Sequence, residues 1–549
     1  MIRSQLVLSK TTPLASRGMV TAEHPIGAEI GAEILARGGN AVDAAVATAF
    51  AMPVVEPFMS TLGGSGTMMI HLAKKGETVC VDFNGMAPMA ASPSMYRLVG
   101  GTAQALFSWP RVADDANVFG HTSVAVPGSV AGLALALERF GTMNLADVVA
   151  PAVRVAREGY IADWYLALYT GKALEEISAF PETARTYLRD GRWVPRPTAQ
   201  YLGDRVVQPD LAASMELIGR EGPDAFYRGA IAQAIHNDMA ANGGLITKDD
   251  LAAYRPRVKD VLWGRYRDLD IAFSPGATGG TTGLEILNVL EQFTPSGCGF
   301  DTVNGLRVRG EAVRHAFADR FTHIGDPEFA EVPFDRLTSK ARAREIARDI
   351  RASRPAARAA GRATDDCTTH VSVIDRDRNM VSLTHTAVSL WGSRVVVPGT
   401  GILLNNGMIW FDPEPGKANS IAPGKRGMVN MVPVLGFKKG APYLALGAPG
   451  GRKIISAIPQ VVANLVDRKG SLQAAIDAPR VHDEGTGLEV DDRAGDKSLD
   501  GLRRRGHTVL AKTETSASMN FARPVGVRVT SKGLEAGLDA FGAAAAAGY

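Results

Sequence analysis

The sequence predicts an α+β fold in which helices cover sheet faces, and two observations carry that prediction. Up to about residue 350 the segments read mostly as helices punctuated by Gly and Pro, whereas from Thr369 onward short β-patterned runs dominate. Apolar strands of this kind need helices over them, so the layers are stacked helix on sheet.

Taken in order, His24-Pro25 opens a helix with Ile26, Ile30 and Ile34 at near-helical spacing, ended by Gly38-Gly39. A second helix runs from Asn40 to about Ala51 and stops before Pro53. Leu62-Gly63-Gly64-Ser65-Gly66 reads as a close-packed turn, followed by a hairpin of Thr67–Leu72 and Thr78–Phe83. Residues 127–160 are helical between Pro127-Gly128 and Gly159, and 165–300 read as mostly helical with loops. Lys340 to Asp366 is rich in Arg and Ala: a solvated helix first and, after Pro355, an exposed linker. Thr369–Ile374 and Met380–Thr386 form a hairpin through Asp375-Arg376-Asp377-Arg378-Asn379. Further strands are expected near 395–397, 402–404, 432–437 and 443–446, and the Ala-rich tail from Gly542 to Tyr549 reads as frayed.

Composition narrows the function classes. Lys+Arg is 60 against 57 Asp+Glu, a net charge of +3. Such a balance gives no electrostatic case for nucleic acid or an anionic membrane surface. Cys80, Cys298 and Cys367 form no CxxC pair, which points to a reducing compartment. No signal-peptide h-region and no long apolar span is visible, so a cytoplasmic location is the expectation. HExxH, P-loop, GxGxxG, EF-hand and GxSxG signatures are all missing. His370 and His385 have no third ligand and read as packing residues rather than a zinc site. Neither a metal nor an organic cofactor is expected.

Cys367-Thr368-Thr369-His370 stands out, because it follows the linker and opens a strand. A Thr hydroxyl is a weak nucleophile unless its own freed α-amine, of pKa ~7.7–8.0, serves as general base. That requires cleavage of the Cys367–Thr368 bond, which an N-to-O acyl shift onto the Thr368 hydroxyl followed by ester hydrolysis would achieve. Spacing alone leaves this one reading among several, since Thr at a strand start is common.

The motifs settle on a family. Gly38-Gly39-Asn40-Ala41-Val42-Asp43-Ala44-Ala45, Leu62-Gly63-Gly64-Ser65-Gly66 and Val126-Pro127-Gly128-Ser129-Val130-Ala131-Gly132 appear in the first half, with Gly243-Gly244-Leu245-Ile246-Thr247. Thr368-Thr369-His370-Val371-Ser372-Val373-Ile374-Asp375, Gly401-Ile402-Leu403-Leu404-Asn405-Asn406 and Ala448-Pro449-Gly450-Gly451 follow. In this order, from about residue 18 to about 530, they resemble the γ-glutamyltranspeptidase (glutathione hydrolase) family of N-terminal-nucleophile hydrolases. The resemblance implies a proenzyme cut before Thr368 into fragments 1–367 and 368–549, which stay together as a heterodimer in a four-layer αββα fold. It implies Thr368 as nucleophile, Thr386 as the second threonine that tunes the amine, and the N–H groups of Gly450 and Gly451 as the oxyanion hole.

The substrate pocket departs from the family pattern. The position of the arginine that clamps the γ-glutamyl α-carboxylate is Asn84, and the paired serines assisting it are Val429 and Asn430. On the amine side, Val388, Gly407 and Trp410 replace an Asn, a Gln and the Asp that pairs with the α-ammonium. Both ends of a zwitterionic acyl group thereby lose their partners. The expected substrate is an amide whose acyl group is not γ-glutamyl, with a short, oxamate-like group preferred. Asn84, His385, Asn406, Trp410 and Asn430 are the candidate substrate-binding residues, with Arg394 and Trp391 as further candidates. The rival readings are a working γ-glutamyltransferase with a different clamp, and a non-enzymatic scaffold of the same fold. Glutathione turnover separates the first from the proposed acylase, and self-cleavage separates both enzymes from the scaffold.

Overall fold

The computed structural model describes residues 8–102, 109–353 and 367–549. Fourteen strands build two stacked sheets. In chain order they are β1 (Leu14–Ala15), β2 (Met19–Ala22), β3 (Ser65–Leu72), β4 (Glu77–Phe83), β5 (Arg257–Asp260), β6 (Leu262–Tyr266) and β7 (Leu269–Phe273). After the cleavage-site segment come β8 (Thr369–Ile374), β9 (Met380–Thr386), β10 (Val434–Lys438), β11 (Ala441–Gly447), β12 (Val525–Thr530), β13 (Gly533–Leu538) and β14 (Ala545–Gly548). One sheet has the order β14-β2-β8-β9-β3-β4-β5, the other β1-β13-β12-β11-β10-β7-β6.

The sheets meet through Met19, Met69, Ile374, Leu435, Ala445 and Val527. The outer face of the first is covered by α1 (Pro25–Ala36), α2 (Ala41–Val55), α3 (Ser129–Phe140) and α4 (Leu145–Glu158), packed into one core with Val371, Val381 and Leu383. The outer face of the second is covered by α5 (Gly279–Leu290), α6 (Val303–His323) and α7 (Lys453–Arg468). This is the expected four-layer αββα stack. Local chemistry fixes its start: Asn40 caps α2 reciprocally with Asp43, and the Asp375 carboxylate in the β8–β9 turn accepts from Ala41 N at 2.9 Å. The β8–β9 hairpin is thus tied to the helix layer above it.

Several expectations are corrected. Helix α2 continues through Pro53 to Val55, since a fully buried helix keeps its packing despite one lost hydrogen bond. The 127–160 helix is two helices, separated at Gly141. Residues 257–273, read as helix and loop, form β5 to β7; the half-polar β5 and β6 are edge strands, and β7 lies between β6 and β10. The tail is not frayed: β14 pairs with β2, and the Tyr549 hydroxyl donates to Leu35 O at 3.1 Å. Lys340–Arg351 is helical as expected, while the linker reading for 354–366 lies outside the described residues. Among the described residues no helix is long and apolar enough to cross a membrane.

Candidate active site

Alternation along β8 and β9 decides which side chains meet. The register pairs His370 with Thr384 and Thr369 with His385. Thr368, His370 and Ser372 therefore share the inter-sheet face with Ser382, Thr384 and Thr386, while Thr369 and His385 face the helix layer. The inner face carries a polar strip: His370 Nδ1 lies 2.9 Å from Thr384 Oγ1, and Ser382 Oγ donates to Leu446 O at 2.9 Å. Burial pushes the His370 imidazole down to about 3, so it stays neutral.

Thr368 and Thr386 are brought together with the scissile peptide. Their hydroxyl oxygens are 3.4 Å apart, and Thr386 Oγ1 donates to Cys367 O at 2.9 Å. The Thr368 hydroxyl also donates to Cys367 O. Val388 N donates to Thr386 Oγ1 at 2.8 Å, which turns the Thr386 proton toward the carbonyl. With Thr368 Oγ1 beside the carbonyl group, the Thr386 hydroxyl is the donor that would stabilise the charge that develops on Cys367 O if the carbonyl carbon is attacked.

The wall behind this group is the segment after α2. Phe58 O accepts from Cys367 Sγ and, at 3.0 Å, from Trp391 N, while Met59 O accepts from Ala387 N at 3.0 Å. Gly64 is required here: a Cβ would sit 2.5 Å from Thr386 O. Ser65, at the start of β3, accepts from Gly85 N through its Oγ at 3.0 Å, in keeping with a turn role for this glycine-rich motif. On the far side, Val388, Trp391 and Arg394 have φ of 91°, 59° and 66°. A β-branched residue in that region is strained, as backbones at functional sites often are. Nothing in the sequence signalled this loop or the role of the Val388 amide, because neither composition nor periodicity encodes a left-handed valine.

Gly450 and Gly451 lie on the connection from β11 to α7. Leu446 O meets Ser382, and the absent Cβ of Gly447 would overlap the His370 ring. The chain thus leaves β11 heading toward the Thr368 end of β8. Both glycines have positive φ, 130° and 50°, a conformation that side-chain-bearing residues rarely adopt.

Positions expected to bind substrate fall in two adjoining regions that share Val429. Val388, Trp410 and Val429 fall in one buried apolar cluster with Ile409, Met428 and Met431, edged by Trp109, Phe119 and Phe321. Asn84 lines a narrow cleft with Val429, Thr278, Asp82 and Arg426. Its Nδ2 donates to Asp82 Oδ1 at 2.8 Å and Thr67 Oγ1 at 3.2 Å, whereas its buried Oδ1 has no hydrogen-bond partner among the described residues. Burial alone would raise the Asp82 carboxyl, but Arg426 and Lys259, at 3.0 and 2.6 Å, hold it well below the usual carboxylate range. The Asn430 Oδ1 accepts from Arg320 Nη2 at 3.2 Å, which turns its NH₂ group the other way.

Four candidates are not brought to Thr368. His385 points to the helix layer, where its Nε2 lies 2.7 Å from Ser129 Oγ, because the two-residue period of β9 puts it opposite Thr386. Asn406 is spent on the 387–389 loop: Nδ2 donates to Val118 O and Ser389 Oγ, and Oδ1 accepts from Ser389 N. Trp391 is fully buried against Phe58 and Tyr187, with Nε1 on Tyr169 O, and is core rather than pocket wall. Arg394 folds onto its own loop through Gly392 O and stacks on Phe119. A cavity of about 640 Å³ lined by His71, Trp263 and Phe437 lies at the opposite end of β3 from Ser65, and so away from this chemistry.

Known proteins agree with this geometry. The family model for gamma-glutamyltranspeptidase matches residues 27–549. The acylase ACY 1 proenzyme of Pseudomonas sp. (strain SE83) is 40% identical over 92% of this chain and 89% of its own length. The glutathione hydrolase proenzyme of Escherichia coli (strain K12) is 36% identical over 91% of this chain and 87% of its own. The crystal structure of cephalosporin acylase from Bacillus halodurans superposes with a TM-score of 0.86 at 28% identity, covering 100% of this chain and 98% of that one. From the strands that carry the paired threonines to the full-length match, the chain belongs to the gamma-glutamyltranspeptidase family of N-terminal-nucleophile amidohydrolases.

Proposed function

We propose that this enzyme cuts itself between Cys367 and Thr368 and then cleaves an amide through a Thr368 acyl-enzyme, with an acyl group that is not γ-glutamyl. Fragments 1–367 and 368–549 remain a heterodimer, because β8 and β9 are flanked by strands of the larger fragment, β2 and β3. In maturation Thr368 Oγ1 attacks the Cys367 carbonyl carbon, and the Thr386 hydroxyl stabilises the oxygen. Collapse of that intermediate breaks the C–N bond, and the hydroxyl proton passes to the nitrogen, which frees the α-amine; hydrolysis of the resulting ester then releases the Cys367 carboxylate and restores the Thr368 hydroxyl.

In turnover that amine takes the proton of Thr368 Oγ1 as the oxygen attacks the substrate carbonyl. The N–H groups of Gly450 and Gly451 receive the developing oxyanion. The ammonium then protonates the leaving amine, and water (or an acceptor amine) attacks the acyl-enzyme with the amine again as base.

The observation that carries the substrate reading is the single apolar cluster of Val388, Trp410 and Val429. An α-ammonium placed against it would be desolvated without a counter-charge, which costs far more than binding contacts return. Asn430, between Val429 and Met431 of that cluster, is polar. With its oxygen held by Arg320, the Asn430 amide offers N–H donors, and these suit an acyl group ending in a carbonyl or carboxylate. A short, oxamate-like acyl group satisfies both the cluster and the amide. The printed names of the relatives, an acylase and a glutathione hydrolase, span both chemistries.

Intact mass of the purified protein tests the first step: two species meeting at Cys367 and Thr368 are expected. A panel of amides tests the second, with oxamate-type and short dicarboxylic monoamides expected to outrun γ-glutamyl-p-nitroanilide. If the γ-glutamyl substrate is fastest, the pocket reading is wrong.

A further inference from the structure

The glycine pair assigned to the oxyanion hole has no side chains with which to hold its own shape, so something else must fix it. Its neighbours on two sides are unusual. On one side lies Ala522, buried, with φ of 60°. A non-glycine residue in the left-handed region is held there only when its surroundings over-determine it. Here they do: Arg480 Nε donates to Phe521 O at 3.1 Å and its Nη2 to Ala522 O at 3.4 Å, and Arg523 N donates to Pro449 O at 3.0 Å. The result presses Ala522 onto the catalytic turn: a Cβ at Gly450 would lie 2.6 Å from Ala522 Cα and 2.7 Å from its Cβ.

On the other side is Arg452, the residue after the pair. Its Nε donates to Glu484 Oε1 at 2.8 Å, Glu484 Oε1 meets His482 Nε2 at 2.9 Å, and His482 Nδ1 meets Ser456 Oγ at 2.9 Å, one turn along α7. Arg452, Glu484 and His482 are all buried. The chain of bonds therefore starts and ends on the helix that the glycine turn leads into.

We propose that Ala522 and the Arg452–Glu484 pair are positioning residues for the oxyanion hole, clamping the Gly450-Gly451 turn from opposite sides. This rests on the functional reading above. The backbone strain at Ala522 is then explained by catalysis: an alanine costs stability there but leaves the Gly450 amide one packed position. Glycine would relax the strain and loosen the amide. Self-cleavage draws on Thr386 rather than on this turn, so it reports folding independently.

The test compares wild type, Ala522→Gly and Arg452→Lys by intact mass, thermal unfolding and steady-state kinetics on the best amide of the panel. All three are expected to cut themselves. Ala522→Gly is expected to melt at or above the wild-type temperature and yet to lose about tenfold or more in kcat, with KM within about twofold, since a displaced donor is felt only in the transition state. Arg452→Lys keeps the charge but loses the fixed guanidinium geometry, and is expected to show the same split of kcat from KM. An Ala522→Gly enzyme with wild-type kcat overturns the clamp, and so does one in which kcat and melting temperature fall together. An uncut, inactive wild type would instead overturn the functional reading, and the clamp with it.

Discussion

Replacing Thr386 by Val tests the chemistry at its most exposed point. Valine keeps the shape but removes Oγ1, and with it two bonds: the 2.9 Å donor to Cys367 O and the 2.8 Å acceptor for Val388 N. The first loss falls on the transition state of self-cleavage. One preorganised donor to a developing oxyanion contributes about 2.7–4 kcal/mol, roughly 10²–10³ in rate. The second loss falls on the fold, because a buried N–H left unpaired costs about 1–3 kcal/mol. That N–H belongs to a valine at φ of 91°, so the loop is expected to relax as well. Thr386→Val is therefore expected to purify as an uncut chain that matures ~100–1000-fold more slowly than wild type, whereas Thr386→Ser retains the hydroxyl and matures within about tenfold of it. A time course of intact mass at constant temperature measures both. Wild-type processing by the valine variant would refute the argument, since the Thr386 hydroxyl would then contribute nothing to the transition state of self-cleavage.

The remaining predictions follow from the same geometry. Thr368→Ala is expected to remain a single chain without turnover, read by mass and by the amide panel. Trp410→Asp puts a carboxylate into the apolar cluster and is expected to raise γ-glutamyl-p-nitroanilide turnover relative to the preferred amide; no change in that ratio would show that Trp410 does not face the acyl group. Gly64→Ala forces a Cβ to 2.5 Å from Thr386 O, and slowed maturation together with a lower melting temperature is expected. Burial lowers His370 to about 3, so its neutral form favours the folded state. That contribution is complete above the unfolded value near 6.5 and is lost as pH falls toward 3. Relative to His370→Gln, wild type is expected to lose about 1.4 kcal/mol per pH unit below pH ~6.5, measured by denaturant titration.

The hairpin of β8 and β9 was legible in the sequence because its periodicity is two and its turn is rich in Asp and Asn. The same alternation, once the register is known, places Thr368 with Thr386 and removes His385 from the site. Register is what the sequence withholds, since a shift of one residue would exchange the two sets. Asn406 looked like a ligand for the same reason that many buried amides do: its donors and acceptor are assigned only when Val118 and Ser389 come near it. The edge strands β5 and β6 escaped notice because partly exposed edges lack a continuous apolar signal, and β7 because its apolar run is only five residues long. The left-handed Val388 and Ala522 have no sequence signature at all.

The structure separates the reaction from the choice of substrate. The groups proposed to carry the reaction come from backbone and hydroxyls anchored in the sheets: Thr368 and Thr386 at the inter-sheet face, and the glycine turn at the end of β11. The groups that would recognise an acyl group come from connections, with Asn84 after β4, Val388 after β9, Trp410 in the 407–410 turn and Val429-Asn430 before β10. Connections tolerate replacement because their side chains are not locked into sheet register. Val388, Trp410 and Val429, from three such segments, meet in one apolar cluster. An apolar wall there, two residues from Thr386, gives an α-ammonium no counter-charge, and this is why the reading proposed above favours a different acyl group over an unaltered glutathione hydrolase.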